Sequence, residues 1–292
     1  MSFLEAVVLA IIQGITEFLP VSSLGHLALA ENLMEIDRGP QMLYEAVLHL
    51  GTLAAVILAF YKDVKKVFFS FIGMCTDLVG NIYLYFQNKK GNGNYHYAKI
   101  ISNSYRKLAL LIMVSMIPTA MLGYSVRNIV AKTMDSPLLA GAGILITGIV
   151  LIVIDFSNAG GEKGIREASY EHAMWMGICQ GISVFPGFSR SGLSISAALL
   201  SGLNRKFAVK FSYLMSIPAI IGAFFSQILN FGSPEMTVGL GFTYVFGMIL
   251  AAAVGTLTIR IMLKLVNNIR FRYFSYYCFV VGLATLFVYY AG

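Results

Sequence analysis

Residues 13–26 read QGITEFLPVSSLGH and lie within a stretch, residues 3–31, that is otherwise apolar. They contain Gln13, Glu17, Ser22, Ser23 and His26, with Pro20 between the carboxylate and the serines. Proline lacks the amide donor and clashes with the preceding turn, so the stretch reads as two short helices joined by a turn. Gln13 and Glu17 are four residues apart and share a face of the first helix. Ser22 or Ser23 is placed to cap the second helix, and His26 follows on the face of the serines.

The construction recurs. Residues 180–192 read QGISVFPGFSRSG, repeating Gln-Gly-Ile-Ser/Thr-x-Phe, then proline, then a serine-rich turn closed by glycine. Pro186 and Gly187 break the chain; Ser189, Arg190 and Ser191 open the next helix, followed by Ser194 and Ser196. A weaker echo pairs IPTAMLG (117–123) with IPAIIGA (217–223). The matching positions of the main repeat are the polar ones, which argues against chance similarity between apolar stretches. Repeated halves with interrupted helices are the pattern of inverted-repeat membrane proteins, whose sites lie at the repeat interface.

Composition places both stretches in a membrane. The chain has 292 residues, 58% of them hydrophobic and only 12% charged, against roughly 25% charged in soluble domains. Six segments have the length and polarity of spans: about 44–60, 107–124, 137–155, 207–229, 241–263 and 272–290. The regions 3–31 and 173–203 are broken in the middle and read as re-entrant hairpins, since irregular backbone at membrane depth needs cover from protein or a watery cavity. Residues 67–86 carry Asp77 and Asn81 near their centre, favouring an amphipathic surface helix over a seventh span. The expected fold is therefore an all-α integral membrane protein of six transmembrane helices and two re-entrant hairpins in an inverted repeat. It forms one domain over 1–292, with repeat one at about 1–135 and repeat two at about 136–292.

The formal net charge is +7, but the placement of the charges matters more than the sum. Sixteen lysines and arginines fall in the loops 61–107, 156–172, 204–210 and 264–272; only Arg38, Arg127 and Lys132 fall on the opposite side. Basic loops stay cytoplasmic, so both termini are expected outside. Arg260 lies near a helix end, and Arg190 is left inside the membrane. The polar linker 87–107 reads as a basic cytoplasmic loop. Cys75, Cys179 and Cys278 are widely separated and have no metal-ligand spacing. The first apolar run contains Glu5 and lacks a basic leader, so it reads as retained structure.

Two helix N-termini converging from the two breaks would form an anion site, and Arg190 adds a donor fork matched to phosphate. An intramembrane arginine costs about 2.5 kcal/mol or more at a helix centre, so it needs an anionic ligand or Glu17 as partner. The expected chemistry is phosphate-centred. Glu17 binds a divalent cation or positions a proton, a serine hydroxyl attacks phosphorus, and His26 serves as general acid or base. Arg190 and the helix termini offset charge on the phosphoryl oxygens. Glu45 and His49 form a further i, i+4 pair, with Glu45 expected to support the site.

In these motifs the sequence resembles the undecaprenyl-pyrophosphate phosphatase family, the bacitracin-resistance phosphatases. The resemblance rests on Gln13-Gly-Ile-Thr-Glu17, on Pro20-Val-Ser22-Ser23-Leu-Gly-His26, and on Pro186-Gly-Phe-Ser189-Arg190-Ser191. It implies removal of the terminal phosphate from a polyprenyl (C55) carrier diphosphate in the bacterial plasma membrane, recycling the carrier for peptidoglycan. It also implies a divalent cation, magnesium or calcium. Catalytic roles fall on Glu17, Ser23, His26 and Arg190; phosphate binding falls on Ser22, Ser189, Arg190 and Ser191. Metal binding falls on Glu17 with Gln13, and a supporting place on Ser194. Gln13 stands where the family also uses a carboxylate, Leu24 where threonine is commoner, and Ser194 where a threonine is usual.

The lipid substrate and the membrane are the expected partners, with no nucleic acid and with a homodimer left open. The alternative is a transporter or flippase of the carrier lipid on the same scaffold. An acid-phosphatase-like SRx₅H site is excluded, because the sixth residue after Arg190 is Ser196.

Overall fold

A computed structural model describes residues 1–36, 41–91, 95–134, 136–229, 238–268 and 270–291. Arg38 and most of the 230–240 loop, both used above to assign sides, lie outside the described residues. The described chain forms α1 (Phe3–Thr16), α2 (Ser23–Leu33), α3 (Gln41–Ala59), α4 (Tyr61–Lys89), α5 (Ser104–Thr133), α6 (Pro137–Phe156), α7 (Tyr170–Ile182), α8 (Arg190–Leu200), α9 (Arg205–Leu229), α10 (Val238–Leu265) and α11 (Arg272–Ala291). Among the described residues the extended pairing is a single bridge between Lys163 and Leu203. The fold is all-α.

Six of these helices are long and apolar enough to cross a membrane: Tyr61–Lys89, Ser104–Thr133, Pro137–Phe156, Arg205–Ser226, Val238–Leu265 and Arg272–Tyr290. Five match spans expected from sequence. The sixth differs, since the expected first span falls on α3, which has 19 residues and an apolar part of Leu43–Ala59. At 1.5 Å per residue, α3 is about 28 Å long, close to the hydrocarbon thickness. The ambiguous segment 67–86 belongs to α4, a continuous 29-residue helix.

The two broken regions form helix pairs too short to cross. α1 and α2 have 14 and 11 residues, α7 and α8 have 13 and 11, so each is at most about 21 Å long. Local chemistry sets their ends. Ser2 and Glu5 form a capping box at α1, and Ser169 and His172 form one at α7. Ser22 and Ser189 cap α2 and α8, accepting from the Gly25 and Gly192 amides at 3.2 and 3.0 Å.

Packing seats both pairs against the longer helices. α1 packs on α10, α7 on α5, α6 along α11, and α3 against both α10 and α9. Small residues allow close approach: a Cβ on Gly177 of α7 would overlap the Ser115 carbonyl oxygen of α5. The core runs through Phe18, Ile144, Ile195, Phe211 and Tyr213, with a second cluster around Leu9, Tyr44 and Tyr244. Outward-facing positions such as Phe225, Phe242, Val280 and Phe287 are exposed and apolar.

α4 is set differently. Asp63 and Asp77 lie about 21 Å apart along it, yet both reach the first turn of α5. Tyr105 donates to Asp63 at 3.0 Å, and Arg106 pairs with Asp77. α4 therefore lies across the start of α5. The following segment runs back along it, with Asn88 Oδ1 accepting from the Tyr95 amide at 2.9 Å and Asn81 Oδ1 from the Ala98 amide at 2.7 Å.

Candidate functional site

The breaks after α1 and before α8 meet. Glu17, the C-cap of α1, is buried. Its Oε1 accepts from Arg190 Nη2 at 2.8 Å. Its Oε2 accepts from the Ser23 hydroxyl at 2.6 Å and from Gln13 Nε2 at 3.1 Å. His49 Nε2 stands 3.9 Å from Oε2. Four residues from four helices, α1, α2, α3 and α8, thus converge on one carboxylate.

Further contacts fix the two breaks against each other. The Ser191 hydroxyl donates to the Leu19 carbonyl at 3.0 Å, and the Tyr213 hydroxyl to the Phe18 carbonyl at 2.6 Å. Thr147 of α6 braces the second break, donating to the Gly187 carbonyl at 3.2 Å while accepting from the Ser189 amide at 3.1 Å. Gly187 has φ +83°, the left-handed region that favours glycine. A Cβ there would overlap the Ala140 carbonyl oxygen, so the turn needs glycine twice over.

The serines separate by what their hydroxyls do. Ser22 is buried, sits at φ +75° and spends its oxygen on the α2 cap. That conformation leaves Ser23 Oγ directed at Glu17. Ser189 caps α8 and lies 3.3 Å from the Ser191 hydroxyl. Ser194 donates to the Arg190 carbonyl at 2.7 Å and lies 2.7 Å from the Ser212 hydroxyl. It braces the turn that carries Arg190, whose Nη1 also donates to the Ser212 carbonyl at 3.4 Å. Ser23 is thus the hydroxyl joined directly to the acidic centre.

His26 is buried one turn into α2. Its Nδ1 is 2.7 Å from the Ser22 carbonyl, and its Nε2 is 2.9 Å from the Tyr277 hydroxyl of α11. Glu45 contributes its carbonyl, 2.8 Å from His49 Nδ1, which turns Nε2 of that ring toward Glu17. The member of the Glu45/His49 pair that stands beside Glu17 is the histidine. Gln13 Oε1 is buried with no hydrogen-bond partner among the described residues. Rotating the amide would aim this oxygen at the Glu17 carboxylate, so the orientation is set by the Nε2 contact. Among the described residues no group of three or more His, Cys, Asp or Glu side chains is placed to hold a metal. A cation here would need Glu17, the Gln13 amide oxygen and the ligand's own oxygens.

Sequence reading did not find Thr147, Ser212, Tyr213 or Tyr277. All four lie in long apolar helices with no local motif. The only signal was that each is a hydroxyl in a span, where an unpaired polar group is costly.

These features define a class: a polytopic helical membrane protein with an arginine–carboxylate pair and a carboxylate-bound serine at the meeting of two interrupted helices. The profile of the bacitracin resistance protein BacA family matches residues 6–284, and the chain belongs to that family. Similar proteins named undecaprenyl-diphosphatase include one from Desulforapulum autotrophicum, 38% identical over 98% of both chains. Another, from Korarchaeum cryptofilum, is 36% identical over 98% of this chain and 99% of its own. A third, from Methanosphaera stadtmanae, is 32% identical over 98% of both.

Proposed function

We propose that this protein is an undecaprenyl-diphosphate phosphatase of the plasma membrane, releasing phosphate and returning the monophosphate carrier for cell-wall synthesis, with bacitracin resistance as a consequence. The observation that carries this reading is the 2.6 Å hydrogen bond from the Ser23 hydroxyl to Glu17, beside Arg190. A hydroxyl whose proton already points at a carboxylate is an activated nucleophile. A guanidinium next to it is suited to stabilise charge on phosphoryl oxygens.

In the first step Ser23 Oγ attacks the terminal phosphorus and its proton passes to Glu17. The phosphoanhydride bond breaks and the lipid monophosphate leaves with the bond's electron pair. In the second, water displaces the Tyr277 hydroxyl from His26 Nε2 and attacks the phosphoserine as its proton passes to that nitrogen, and His26 then gives the proton to the departing phosphate. Inorganic phosphate departs as Glu17 returns its proton to Ser23. Arg190 and the N-terminal amides of α2 and α8 hold the phosphoryl oxygens in both steps. The hydroxyls of Ser22, Ser189 and Ser191 keep those amides in place.

Magnesium or calcium belongs to the proposal, held by Glu17 and by Gln13 Oε1, whose amide would turn over to exchange its Nε2 contact with Glu17 for the cation. A cation at this position would neutralise diphosphate oxygens, and magnesium commonly binds through one or two carboxylates plus phosphates. The exposed apolar belt supplies the environment for the polyprenyl chain.

An inverted repeat also belongs to the proposal, with α4 as an insertion lying on the cytoplasmic face. The packing of α1 on α10 beside that of α7 on α5 supports it, because α5 and α10 are then each the second span after a helix pair. The echo 117–123/217–223 has a spacing of 100 residues, against 167 between Gln13 and Gln180, and lies outside this register. Re-entrant hairpins follow from the two breaks, and termini on the outer side and an outward-opening site follow from the basic loops; pairing of two copies is a further element of the proposal.

The carrier-transporter alternative is not favoured: the relatives are named for a hydrolase, and transport gives no role to a serine bonded to a carboxylate. The test is phosphate release from undecaprenyl diphosphate by purified protein. Activity that survives Arg190→Ala unchanged would overturn the site.

A further inference from the structure

We infer that Tyr277 is a positioning residue for His26, an inference that rests on the acid–base role of His26 proposed above. The two residues lie 251 positions apart, yet their rings stack with centroids 5.5 Å apart and planes 5° from parallel. The Tyr277 hydroxyl is 2.9 Å from His26 Nε2.

The proton inventory follows from the partners. His26 Nδ1 faces the Ser22 carbonyl at 2.7 Å, and a carbonyl oxygen only accepts, so Nδ1 carries the hydrogen. In the neutral ring Nε2 is therefore the basic nitrogen, and in the resting protein the Tyr277 hydroxyl donates to it, yielding that place to water when the ring acts as base. Once His26 gains a proton, Nε2–H donates and the phenol oxygen accepts. A hydroxyl serves both states because it is donor and acceptor at once.

Ser22 thus sets which nitrogen is basic, while Tyr277 sets where that nitrogen points and what it costs to charge it. His26 is 9% exposed and Tyr277 has a half-open ring, so the phenol stands between the buried imidazole and the surroundings of α11. Deleting the hydroxyl leaves a buried Nε2 without a partner and removes a charge-assisted bond from the protonated ring. Such bonds are roughly twice as strong as neutral ones, so the two protonation states are affected unequally.

The test compares purified Tyr277→Phe, Tyr276→Phe and His26→Asn enzymes, with undecaprenyl diphosphate as substrate, over a range of pH. Tyr277→Phe retains the stack and removes only the hydroxyl. The expected result is a fall in kcat of about tenfold with KM little changed, and a displacement of the His26-dependent limb of the pH profile by about half a unit or more. The ¹⁵N resonance of His26 Nε2 should also move, since it loses a hydrogen bond. Tyr276→Phe should match the parent in all three readouts. A Tyr277→Phe enzyme with the parental profile and Nε2 resonance, alongside an inactive His26→Asn enzyme, overturns this inference alone. A fully active His26→Asn enzyme overturns the role of His26 and this inference with it.

Discussion

Arg190 and Glu17 lie 173 residues apart in the chain and meet at 2.8 Å, joining the two helix breaks through one buried ion pair. The pair is 15% and 5% exposed at the arginine and glutamate side chains, so neither charge is well solvated. Removing one member of such a pair typically costs about 3–5 kcal/mol, because the other charge is left alone. Arg190→Met should therefore lower the thermal midpoint sharply and reduce kcat by about 10²–10³-fold. Adding Glu17→Gln should restore much of the stability and none of the activity, measured by thermal unfolding and phosphate release on the same preparations.

The two adjacent serines should behave oppositely. Ser22 caps α2 and Ser23 bonds Glu17. Ser22→Ala should cost about 0.5–2 kcal/mol, the usual value of an N-cap, and leave kcat within about tenfold. Ser23→Ala should leave stability nearly unchanged and lower kcat by about 10³-fold or more. The reverse order would transfer the nucleophile to Ser22.

Both helix breaks were legible because Pro20 and the Pro186-Gly187 pair interrupt apolar runs, and because the polar residues recur around them. The partnership of Glu17 with Arg190 could be anticipated, since each needed an opposite charge inside the membrane. Ser22 and Ser23 could not be separated, because either can cap a helix and the choice depends on the positive φ at Ser22. His49, Thr147, Ser212 and Tyr277 act across the fold. Helical spacing records only neighbours on the same helix, so a contact such as His26 to Tyr277 leaves no local trace. The setting of α4 was ambiguous for a related reason: length and hydropathy suit both a span and a surface helix, and the contacts that bear on the choice, with Tyr105 and Arg106, lie on another helix.

Cys75 provides a direct test of that setting. It is exposed near the middle of α4. A helix on the cytoplasmic face keeps this thiol near water, where the reactive thiolate forms; a spanning helix would bury it in hydrocarbon. With Cys179 and Cys278 replaced by alanine, a membrane-impermeant maleimide should modify Cys75 in inside-out vesicles and not in right-side-out ones. Protection in both preparations would establish α4 as a span.

Gln13 tests the cation. An unpaired buried acceptor costs about 1–3 kcal/mol, and Gln13 Oε1 has no partner among the described residues, beside a carboxylate that already accepts from the same amide. A cation bound by both residues would compensate this oxygen, so magnesium or calcium should raise the thermal midpoint of the parent protein. Gln13→Leu should abolish that rise. Gln13→Glu should unfold earlier than the parent in chelator, since it sets a second carboxylate against Glu17 and deletes the amide donor. On adding cation the same variant should gain more than the parent and saturate at lower concentration, because a second anionic ligand strengthens binding of a hard divalent ion. These shifts are read by unfolding alone and do not depend on turnover. A Gln13→Leu protein with the parental cation response would remove Gln13 from the cation site and leave the Ser23–Glu17–Arg190 arrangement standing.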